Sequence, residues 1–582
     1  MPLSLGCADV LGLNQYSPGG GGTTSSGGTT SQGGTTSMGG TTSGGTTSMG
    51  GTTSSGGTGG VGGATGGVGG TGGATGGTGG TLCTVGEMKP CYEGPPGTEG
   101  IGICAPGMST CGMDGIWGPC TGAVYPKIEA CAGDGVDENC DGLPECVGQH
   151  RWSKVIVGTG AITAGGVTVD AADDPIIVGG FAGEIDFGGG VQSVANGIDA
   201  YVVKLSPDGQ QLWTRTFGPA GDQVATAVAF DKSSGSIVVA GYFTGSLKIG
   251  NDTFTSQGGK DIFVFKLDND GNPVWAHAYG GNKDDHATSV AVGPAGEIYV
   301  GGGYIDNFAV GGTQLPAAGT LVENAFLLKF DSSGTPLKVV GVGSSSAPEV
   351  VNAVAVDSLG APWVAGNFNG PFAWDGCGSQ TPVGGSDAFV MRLDTNTKCV
   401  NAHGWGDAAD QWGSALSAYP GGNVASGLNV EGTFTIGGNT PPGDASTFDV
   451  ALVRSPQSGN SLYKRYGDLG THQFLQGLSV DGLGNPVLGG SYSGGINFSP
   501  LAADKMVPVT TYDRYLAKLD AASNFVWQKS FTNSAGGFTF VATDSLGRVD
   551  LFGTVLGTTD MGGGTIGVAG SPMSVLLAQF SP

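Results

Sequence analysis

The sequence predicts an all-β fold, a seven-bladed β-propeller of four-stranded blades that fills residues 150–582. The first observation behind this prediction is a recurring strand that ends in a basic and an apolar residue, as in Asp199–Leu205 (DAYVVKL) and Asp261–Leu267 (DIFVFKL). A near-constant period indicates a repeat architecture. The seven copies lie 61 to 64 residues apart and start at Asp199, Asp261, Asn324, Asp387, Asp449, Asp513 and Ser574.

The second observation is a pair of short apolar strands around a tight turn in every repeat, for example Val354–Asp357 followed by Trp363–Gly366. Short apolar runs bounded by Asp, Gly, Ser or Pro predict hairpins. We interpret the aspartates here as turn residues and not as metal ligands, because Asp and Gly stabilise tight turns. The seven turns contain Asp170, Asp231, Gly293, Asp357, Pro420, Asp481 and Asp544.

The third observation is a gradient of side-chain size across the four strands of each repeat. The first strand carries small residues (Val-Ala-Val), and a later strand carries Trp213, Trp275 or Trp527. Small side chains suit strands crowded at an axis, whereas bulky ones fill wedges that widen outward. The repeats resemble those of seven-bladed propellers in bacterial surface proteins (the SBBP type). This resemblance implies the fold and carries no activity.

The two ends of the repeat region predict how the ring closes. The last repeat stops at Phe580-Ser-Pro582, which aligns with Leu205-Ser-Pro207 in the first, so the seventh blade lacks its outer strand. Residues 151–157, which include Trp152, resemble an orphan outer strand. We predict that residues 151–157 complete the seventh blade and leave no unpaired join.

The N-terminal residues predict a leader and a tether. In residues 1–18, Leu3-Ser-Leu-Gly-Cys7 resembles the end of a bacterial lipobox, so Cys7 is the predicted lipidation site of a truncated leader; the alternative is an incidental cysteine. Residues 19–81 are Gly/Thr/Ser repeats that predict a disordered linker. A tether behind a lipid anchor would hold the folded domains away from a membrane, and a plain interdomain linker fits equally well.

Residues 82–148 form a cysteine-rich module. Its eight cysteines predict four disulfides in an oxidising compartment, with the pairing left open. Zinc is the alternative, but no Cys-x-x-Cys pair occurs there. Cys377 and Cys399 lie in one repeat and predict a fifth bridge. The module contains Cys83, Cys91, Cys104, Cys111, Cys120, Cys131, Cys140 and Cys146.

The end of this module contains an acidic loop. Asp137, Asn139 and Asp141, followed by Gly142, match the first half of an oxygen-rich calcium loop, in which alternate residues point oxygens inward. Asp134 or Glu145 would replace the missing twelfth-position glutamate. The stretch resembles the metal-binding motif (Asp-x-Asp-x-Asn-Cys-Asp-Gly type) of bacterial surface proteins, many from myxobacteria. Ca²⁺ is thus the expected ion, and a disulfide-pinned acidic turn without metal is the alternative.

The excess of acidic residues limits which macromolecules the protein can bind. The chain has 48 acidic and 23 basic residues and a formal net charge of −25. An acidic surface without a basic cluster repels phosphate backbones, which argues against nucleic-acid binding. No apolar run is long enough to cross a bilayer. We therefore expect a monomer that meets a membrane only through a lipid anchor.

Polar residues precede the innermost strand of several repeats. In a closed ring they would surround one mouth of the channel, where carboxylates and amides can hold a cation, a sugar or a peptide. The alternative is ordinary loop polarity. The ligand-binding candidates are Asp222, Asp284, Asp410 and His472 in one aligned position, and Gln223, Asp285, Glu349, Gln411 and Gln473 in the next.

Three functions remain open at this point. The favoured one is an exported, lipid-anchored surface protein whose propeller is a binding platform for protein or glycan ligands. The second is a polysaccharide hydrolase or lyase that uses the mouth carboxylates and His472 as acid and base groups. The third is a structural envelope component. No catalytic motif was found among the five histidines or elsewhere, so no catalytic residue is assigned.

Overall fold

The computed structural model describes residues 83–95, 98–127, 136–140, 142, 147–194, 196–305, 307–315, 322–343, 347–433, 447–455, 462–467, 470–501, 504–507, 512–531 and 537–582. The predicted leader, the predicted linker and Cys7 lie outside these residues. The chain divides into two compact units. Within the described residues, the smaller unit contains 83–87 and 110–118, and the larger contains the rest. No helix in the described ranges has the length and apolar character to span a bilayer.

Disulfides organise the cysteine-rich residues, as predicted. In the smaller unit Cys83 pairs with Cys111 (S–S 1.94 Å). In the larger unit the module has two further bridges and the propeller has one, the predicted pair within one repeat. These three are Cys91–Cys120, Cys104–Cys140 and Cys377–Cys399. Cys131 and Cys146 lie outside the described residues.

The strands of the described residues are numbered in chain order. The first twenty are β1 Met88–Cys91, β2 Gly107–Thr110, β3 His150–Ile156, β4 Ile162–Val169, β5 Pro175–Phe181, β6 Glu184–Asp186, β7 Val191–Ser193, β8 Asp199–Leu205, β9 Gln211–Phe217, β10 Gln223–Asp231, β11 Ser236–Phe243, β12 Ser246–Ile249, β13 Asp252–Thr255, β14 Asp261–Leu267, β15 Pro273–Tyr279, β16 Asp285–Val292, β17 Ile298–Tyr304, β18 Ala309–Val310, β19 Thr313–Gln314 and β20 Asn324–Phe330. The next twenty are β21 Pro336–Val342, β22 Glu349–Val356, β23 Pro362–Phe368, β24 Phe372–Trp374, β25 Gly378–Gln380, β26 Asp387–Leu393, β27 Cys399–Trp405, β28 Gln411–Ala418, β29 Val424–Val430, β30 Asp449–Ser455, β31 Leu462–Tyr466, β32 Gln473–Val480, β33 Pro486–Tyr492, β34 Asp513–Leu519, β35 Phe525–Phe531, β36 Thr539–Thr543, β37 Val549–Leu556, β38 Thr558–Asp560, β39 Thr565–Gly567 and β40 Met573–Phe580.

Seven four-stranded sheets form the blades of a β-propeller in the described residues, which confirms the predicted fold class. The innermost strands contact one another in a closed cycle, β4, β10, β16, β22, β28, β32, β36 and back to β4. From the axis outward we call the four strands of a blade innermost, second, third and outer. Blades 1 to 7 are β4-β5-β8-β9, β10-β11-β14-β15, β16-β17-β20-β21, β22-β23-β26-β27, β28-β29-β30-β31, β32-β33-β34-β35 and β36-β37-β40-β3.

Within the described residues, five blades carry an extra two-stranded sheet between the second and third strands, a feature that was not predicted from the sequence. These sheets are β6-β7, β12-β13, β18-β19, β24-β25 and β38-β39. Their apolar residues join the core of the blade: Leu247 and Ile249 of β12 are buried in the same cluster as Phe217 and Phe265. The four-residue strands were too short to produce a recognisable alternation in the sequence.

The hydrophobic core lies between the blades. Each of seven buried clusters in the described residues combines residues from two neighbouring blades. The cluster that joins blade 7 to blade 1 contains Phe552 and Val575 from one and Ile177 and Tyr201 from the other. Because burial of apolar area is the main stabilising term, each blade depends on both neighbours for its stability.

The basic residue near the end of the third strand links neighbouring blades. It does so on the face of the ring where the third strands end. Lys266 Nζ lies 2.7 Å from Asp231 Oδ2 in the same blade and donates to Ser332 O of the next blade. Burial opposes the ionisation of Asp231, but hydrogen bonds from Lys266, Ser233 and Ser234 outweigh it and lower its pKa to about 2. The predicted turn role of Asp231 is confirmed, since Asp231 Oδ1 accepts the Ser233 N–H.

Ring closure follows the prediction, with the closing strand at His150–Ile156. Trp152 is paired with Gln579 of β40, and β40 pairs with β37. The two chain ends also rebuild a turn: Ser581 N donates to Gln149 O (2.8 Å), as Ser206 N donates to Gln210 O (2.7 Å) in blade 1. The seventh blade thus has the same turn as the first, assembled from separate ends of the repeat region.

Candidate functional site

The first residues of the innermost strands lie together on one face of the ring, because all blades have the same strand order. We call this face the mouth face. The first residues of the third strands, such as Asp199 and Asp261, lie on the same face, because they pair with the last residues of the second strands. The structure therefore brings all nine predicted ligand-binding residues to one face.

The four residues that directly precede an innermost strand hold the previous blade. Each side chain accepts a hydrogen bond from the backbone N–H that precedes the third strand of that blade. The bonds are Ile198 N to Asp222 Oδ1 (3.1 Å), Lys260 N to Asp284 Oδ1 (3.1 Å), Ser386 N to Asp410 Oδ1 (2.8 Å) and Phe448 N to His472 Nδ1 (3.3 Å). These repeated polar residues therefore have an architectural role, and their role as ligands remains a prediction.

The next predicted position is buried and organises loops within its own blade. Gln223 Nε2 donates to the carbonyls of Ala220, Thr244 and Ser246. Gln411 and Gln473 make similar bonds, to Glu431 O and Gly495 O respectively, and Glu349 is 1% exposed. Such buried side chains have little surface to offer a ligand.

Asp285 occupies this glutamine position in blade 3. Asp285 Oδ2 accepts the Gly281 N–H (2.6 Å) and Asp285 Oδ1 accepts the Ile305 N–H (3.2 Å). Burial raises the pKa of Asp285 to about 7 in spite of these two donors, and the charges of Asp261 and Asp284 act in the same direction. A carboxyl group thus replaces an amide at this position and titrates near neutrality.

An aromatic row crosses the mouth face from blade 5 to blade 6. It consists of Trp412, Phe448, His472 and Phe474. The rings of Trp412 and Phe448 lie 4.5 Å apart at 26°, those of Phe448 and Phe474 5.4 Å apart, and those of His472 and Phe474 5.8 Å apart at 5°. Phe448 is 2% exposed, whereas the other three are partly exposed. Partly exposed aromatic side chains are typical of the lining of ligand-binding sites.

Only His472 of this row was a sequence candidate. Trp412 and Phe474 are the second residues of innermost strands, a position at which blade 2 has Val224 and blade 4 has Val350. The available signal was the departure of these two aromatic residues from the valines of blades 2 and 4, a weak one because blade 7 also has an aromatic residue, Phe540, at this position. The contact with Phe448 could not be found from sequence, because Phe448 precedes a third strand and comes from another part of the repeat.

An acidic pocket lies in blade 5, and its Asp410 is two residues before Trp412 of the aromatic row. Its volume is about 370 Å³, and its acidic lining residues are Asp407, Asp410 and Glu431. Asp410 N donates to Glu431 Oε2 (3.4 Å), and Thr433 N donates to Asp407 Oδ2 (2.7 Å). Two of these carboxylates come from the loop that enters the innermost strand, and the third follows the second strand.

A second group of charges lies at blade 3. Glu323 Oε1 is 3.5 Å from His286 Nδ1, and the Glu323 side chain is 29% exposed. Burial raises the pKa of Glu323 to about 7; Lys260 lowers it, and Asp284 and Asp285 raise it further. Glu323, which lies on the mouth face, therefore exchanges a proton near neutral pH.

The predicted calcium loop is described in part. Asp137 and Asn139 are buried, and Asp137 Oδ2 accepts the Gly142 N–H (2.9 Å), as expected for a tight acidic turn. Asp134, Asp141 and Glu145 lie outside the described residues. In the ranges that are described, no group of three or more His, Cys, Asp and Glu side chains has the arrangement of a metal site. Calcium binding therefore stays a prediction.

Comparisons with known proteins agree with a repeat-built chain. No family model matches the sequence. Over 102 residues, 16% of this chain, it is 32% identical to an uncharacterized WD repeat-containing protein, L264, of Acanthamoeba polyphaga mimivirus. The match spans 7% of the length of that relative.

Solved structures resemble the chain in the arrangement of strands alone. The polysaccharide lyase Uly1 has a TM-score of 0.38 at 7% identity, with 74% of this chain and 99% of that one covered. The phage phi92 endosialidase has a TM-score of 0.33 at 11% identity, with coverage of 74% and 69%. Sqt1 of Chaetomium thermophilum has a TM-score of 0.35 at 10% identity, with coverage of 74% and 98%. No role in this chain follows from these values.

Proposed function

We propose that this protein is an exported binding protein that presents the mouth face of its propeller to a protein or glycan ligand. The observation that carries the proposal is the contrast between two kinds of residue on that face. Repeated residues, such as Asp222 and Gln223, hold loops and neighbouring blades. Residues that differ from blade to blade, such as Lys260, Glu323 and Trp412, would then determine which ligand binds.

The disulfides support an extracytoplasmic location, because such bonds form and persist in oxidising compartments. We include in the proposal that Cys7 carries a lipid and that residues 19–81 act as a tether. A lipid at Cys7 would hold the propeller at a cell surface, where the mouth face meets extracellular polymers or neighbouring proteins.

The test is a screen of glycans and secreted proteins against cells that display the protein. We expect the combined substitution Lys260→Ala, Glu323→Gln and Trp412→Ala to abolish binding of the ligand that the wild-type protein retains. The matched control, Lys232→Ala, Leu359→Ala and Leu483→Ala, changes exposed turn residues on the opposite face and leaves binding unchanged. On the same cells, Cys7→Ala releases the protein into the medium. Equal binding by the mouth variant and the control would refute the proposal.

One observation favours an enzyme as the second candidate. Glu323 has a pKa of about 7 and lies next to His286, and a general acid or base works best when its pKa is near the operating pH. A hydrolase or lyase of extracellular polysaccharide would use this pair. A depolymerisation assay run beside the screen separates the two functions, since Glu323→Gln removes such an activity and leaves simple binding largely intact.

A further inference from the structure

We propose that the aromatic row and the acidic pocket of blades 5 and 6 bind a cationic pyranose chain, that is, a polymer of amino sugars. This inference rests on the proposed function and names the class of ligand. It combines two neighbouring features of the mouth face: the flat rings of Trp412, Phe474 and His472, and the carboxylates of Asp407, Asp410 and Glu431.

The geometry of the rings favours a flat ligand. Phe448 is buried beneath its neighbours and fixes the row, because it contacts Trp412, His472 and Phe474 at centroid distances of 4.5, 6.0 and 5.4 Å. The partly exposed rings of His472 and Phe474 are parallel within 5°. A pyranose ring presents a flat face of C–H groups to such a surface and directs its polar substituents outward.

Charge complementarity decides which kind of pyranose. The pocket beside the row is lined by three carboxylates and has a volume of about 370 Å³, enough for a substituent or one sugar ring. Arg465 donates from Nη1 to Gly432 O of the pocket lining, but its Nε is 2.6 Å from Asp449 Oδ2 and both side chains are buried, so this cation is already paired. With a formal net charge of −25, the protein attracts cations over a longer range.

His472 adds a donor without adding a positive charge. His472 Nδ1 accepts the Phe448 N–H, so the neutral ring carries its proton on Nε2. Burial lowers the pKa of His472, which keeps the ring neutral at pH 7. A neutral donor hydrogen-bonds a sugar hydroxyl and does not repel an ammonium group.

The experiment compares two probes that share the same rings and differ in charge. Full-length protein is titrated calorimetrically with a β-1,4-linked glucosamine hexamer and with its fully N-acetylated counterpart, at low and at high salt. We expect the glucosamine hexamer to bind at least about tenfold more tightly at low salt and to lose this advantage at high salt, because screening weakens exposed charge pairs.

Variants separate the two halves of the site. Trp412→Ala and Phe474→Ala should weaken both probes by about tenfold or more, while Trp412→Phe keeps most of the affinity. Asp407→Asn with Asp410→Asn should weaken the glucosamine hexamer alone. Asparagine at position 410 still accepts the Ser386 N–H, and asparagine at position 407 keeps one of the two backbone bonds that Asp407 accepts, from Ala409 N at Oδ1 and from Thr433 N at Oδ2. Asp208→Asn, an exposed carboxylate on the opposite face, is the charge control.

Three other results of these titrations would contradict the proposed amino-sugar ligand, and each would do so differently. Equal affinity for both hexamers, unaffected by Asp407→Asn and Asp410→Asn, would show stacking without charge selection and would overturn it. Binding of a decalysine peptide in place of either sugar would identify a protein partner and overturn it as well, while the mouth face would remain the binding face. No binding of either hexamer, beside a ligand from the screen that the triple mouth variant no longer binds, would remove this inference alone. If the triple variant Lys260→Ala, Glu323→Gln and Trp412→Ala bound that ligand as the control does, the proposed function would be removed as well.

Discussion

At the residue scale, the first position of the innermost strands on the mouth face holds loops in place, and one blade has a titratable residue there. Gln223, Gln411 and Gln473 fill the first position of their innermost strands with an amide that satisfies loop carbonyls. Asp285 has a carboxyl group in this place, with both oxygens facing backbone N–H groups. Because a buried carboxylate is costly to ionise, this substitution couples the stability of blade 3 to pH.

The first prediction follows from the pKa of Asp285. It is raised from 3.8 to about 7, so between these two pH values the folded state binds more protons than the unfolded state. The stability that this group contributes is therefore complete below pH 3.8 and is lost as the pH rises to about 7. We expect the free energy of unfolding to fall over this range, and Asp285→Asn to flatten the slope, as measured by urea unfolding from pH 4 to pH 8.

The control for this prediction is Asp252→Asn, which changes an exposed aspartate of β13. Asp199 and Glu323, whose pKa values burial raises to about 6 and about 7, add slopes of the same sign that persist in the Asp285 variant. An unchanged slope in Asp285→Asn would contradict the assignment of the proton to this side chain.

At the scale of elements, blades are joined by more than their apolar faces. The innermost strands of blades 1 to 6 have a bulge after their third residue, and in blades 2 and 4 the bulged side chain reaches the next blade: Thr226 Oγ1 donates to Ala287 O (2.7 Å), and Asn352 Nδ2 donates to Gly413 O (3.0 Å). On the opposite face the third-strand lysine makes the equivalent link, as Lys266 does to Ser332 O. Between blades 5 and 6 the link is made by Asn429, whose Nδ2 donates to Leu475 O (3.1 Å) and whose Oδ1 accepts the Leu475 N–H (2.7 Å), next to Phe474 of the aromatic row.

The acidic loop of the cysteine-rich module is the element that carries the second prediction. Asp137 and Asn139 are buried beside the Cys104–Cys140 bridge, which limits how far their oxygens can move. We propose that this loop binds Ca²⁺ with Asp134, Asp141 and Glu145. Calorimetric titration of the full chain with Ca²⁺ should then show one binding event, and Asp137→Asn with Asp141→Asn should abolish it.

The matched control for the loop is Asp114→Asn, an exposed aspartate of the module whose Oδ1 accepts the Ile116 N–H. Heat of binding that survives in the loop variant, or that disappears in the control as well, would show that the oxygens of this loop are not the ligands.

At the scale of the whole molecule, the ring is a closed chain of seven interblade layers, so a defect in one blade reaches both neighbours. The join lies at blade 7, where β3 covers the edge of β40. Gly148 marks the join: a Cβ at this position would lie 2.7 Å from the Trp527 ring, just as one at Gly271 would lie 3.1 Å from Trp213. The tryptophan of one blade thus covers the turn glycine of the next, even where that turn is assembled from two chain ends.

The pairing of β3 with β40 in blade 7 is the basis of the third prediction. A chain of residues 147–582 retains β3 and Gly148 and should melt cooperatively as a monomer. A chain of residues 158–582 lacks β3 and exposes the edge of β40, and unpaired edges invite pairing with other chains. We expect it to melt at least about 10 °C lower and to associate, as measured by circular dichroism and light scattering. Identical melting of the two chains would contradict the role of β3 in closure.

The sequence by itself determined the repeat number, the four-strand blade, the closing strand and the presence of disulfides. It did so because these features depend on local patterns: apolar alternation, turn residues at fixed positions and a repeat that lacks its last strand. The same regularity concealed the roles of individual residues. Asp222 and Asp410 recur because each holds a neighbouring blade, and a recurring polar residue looks the same in a sequence whether it serves a ligand or a loop.

Only the tertiary structure decided which side chains meet on the mouth face. Trp412 and Phe474 lie 62 residues apart in equivalent strands, and Phe448 precedes a third strand, so no local spacing connects them. The disulfide pairing was equally undetermined, because eight cysteines allow many combinations that only the path of the backbone can select. Contacts between blades depend on how the repeats are arranged around a common axis, and the amino-acid sequence does not state that arrangement directly.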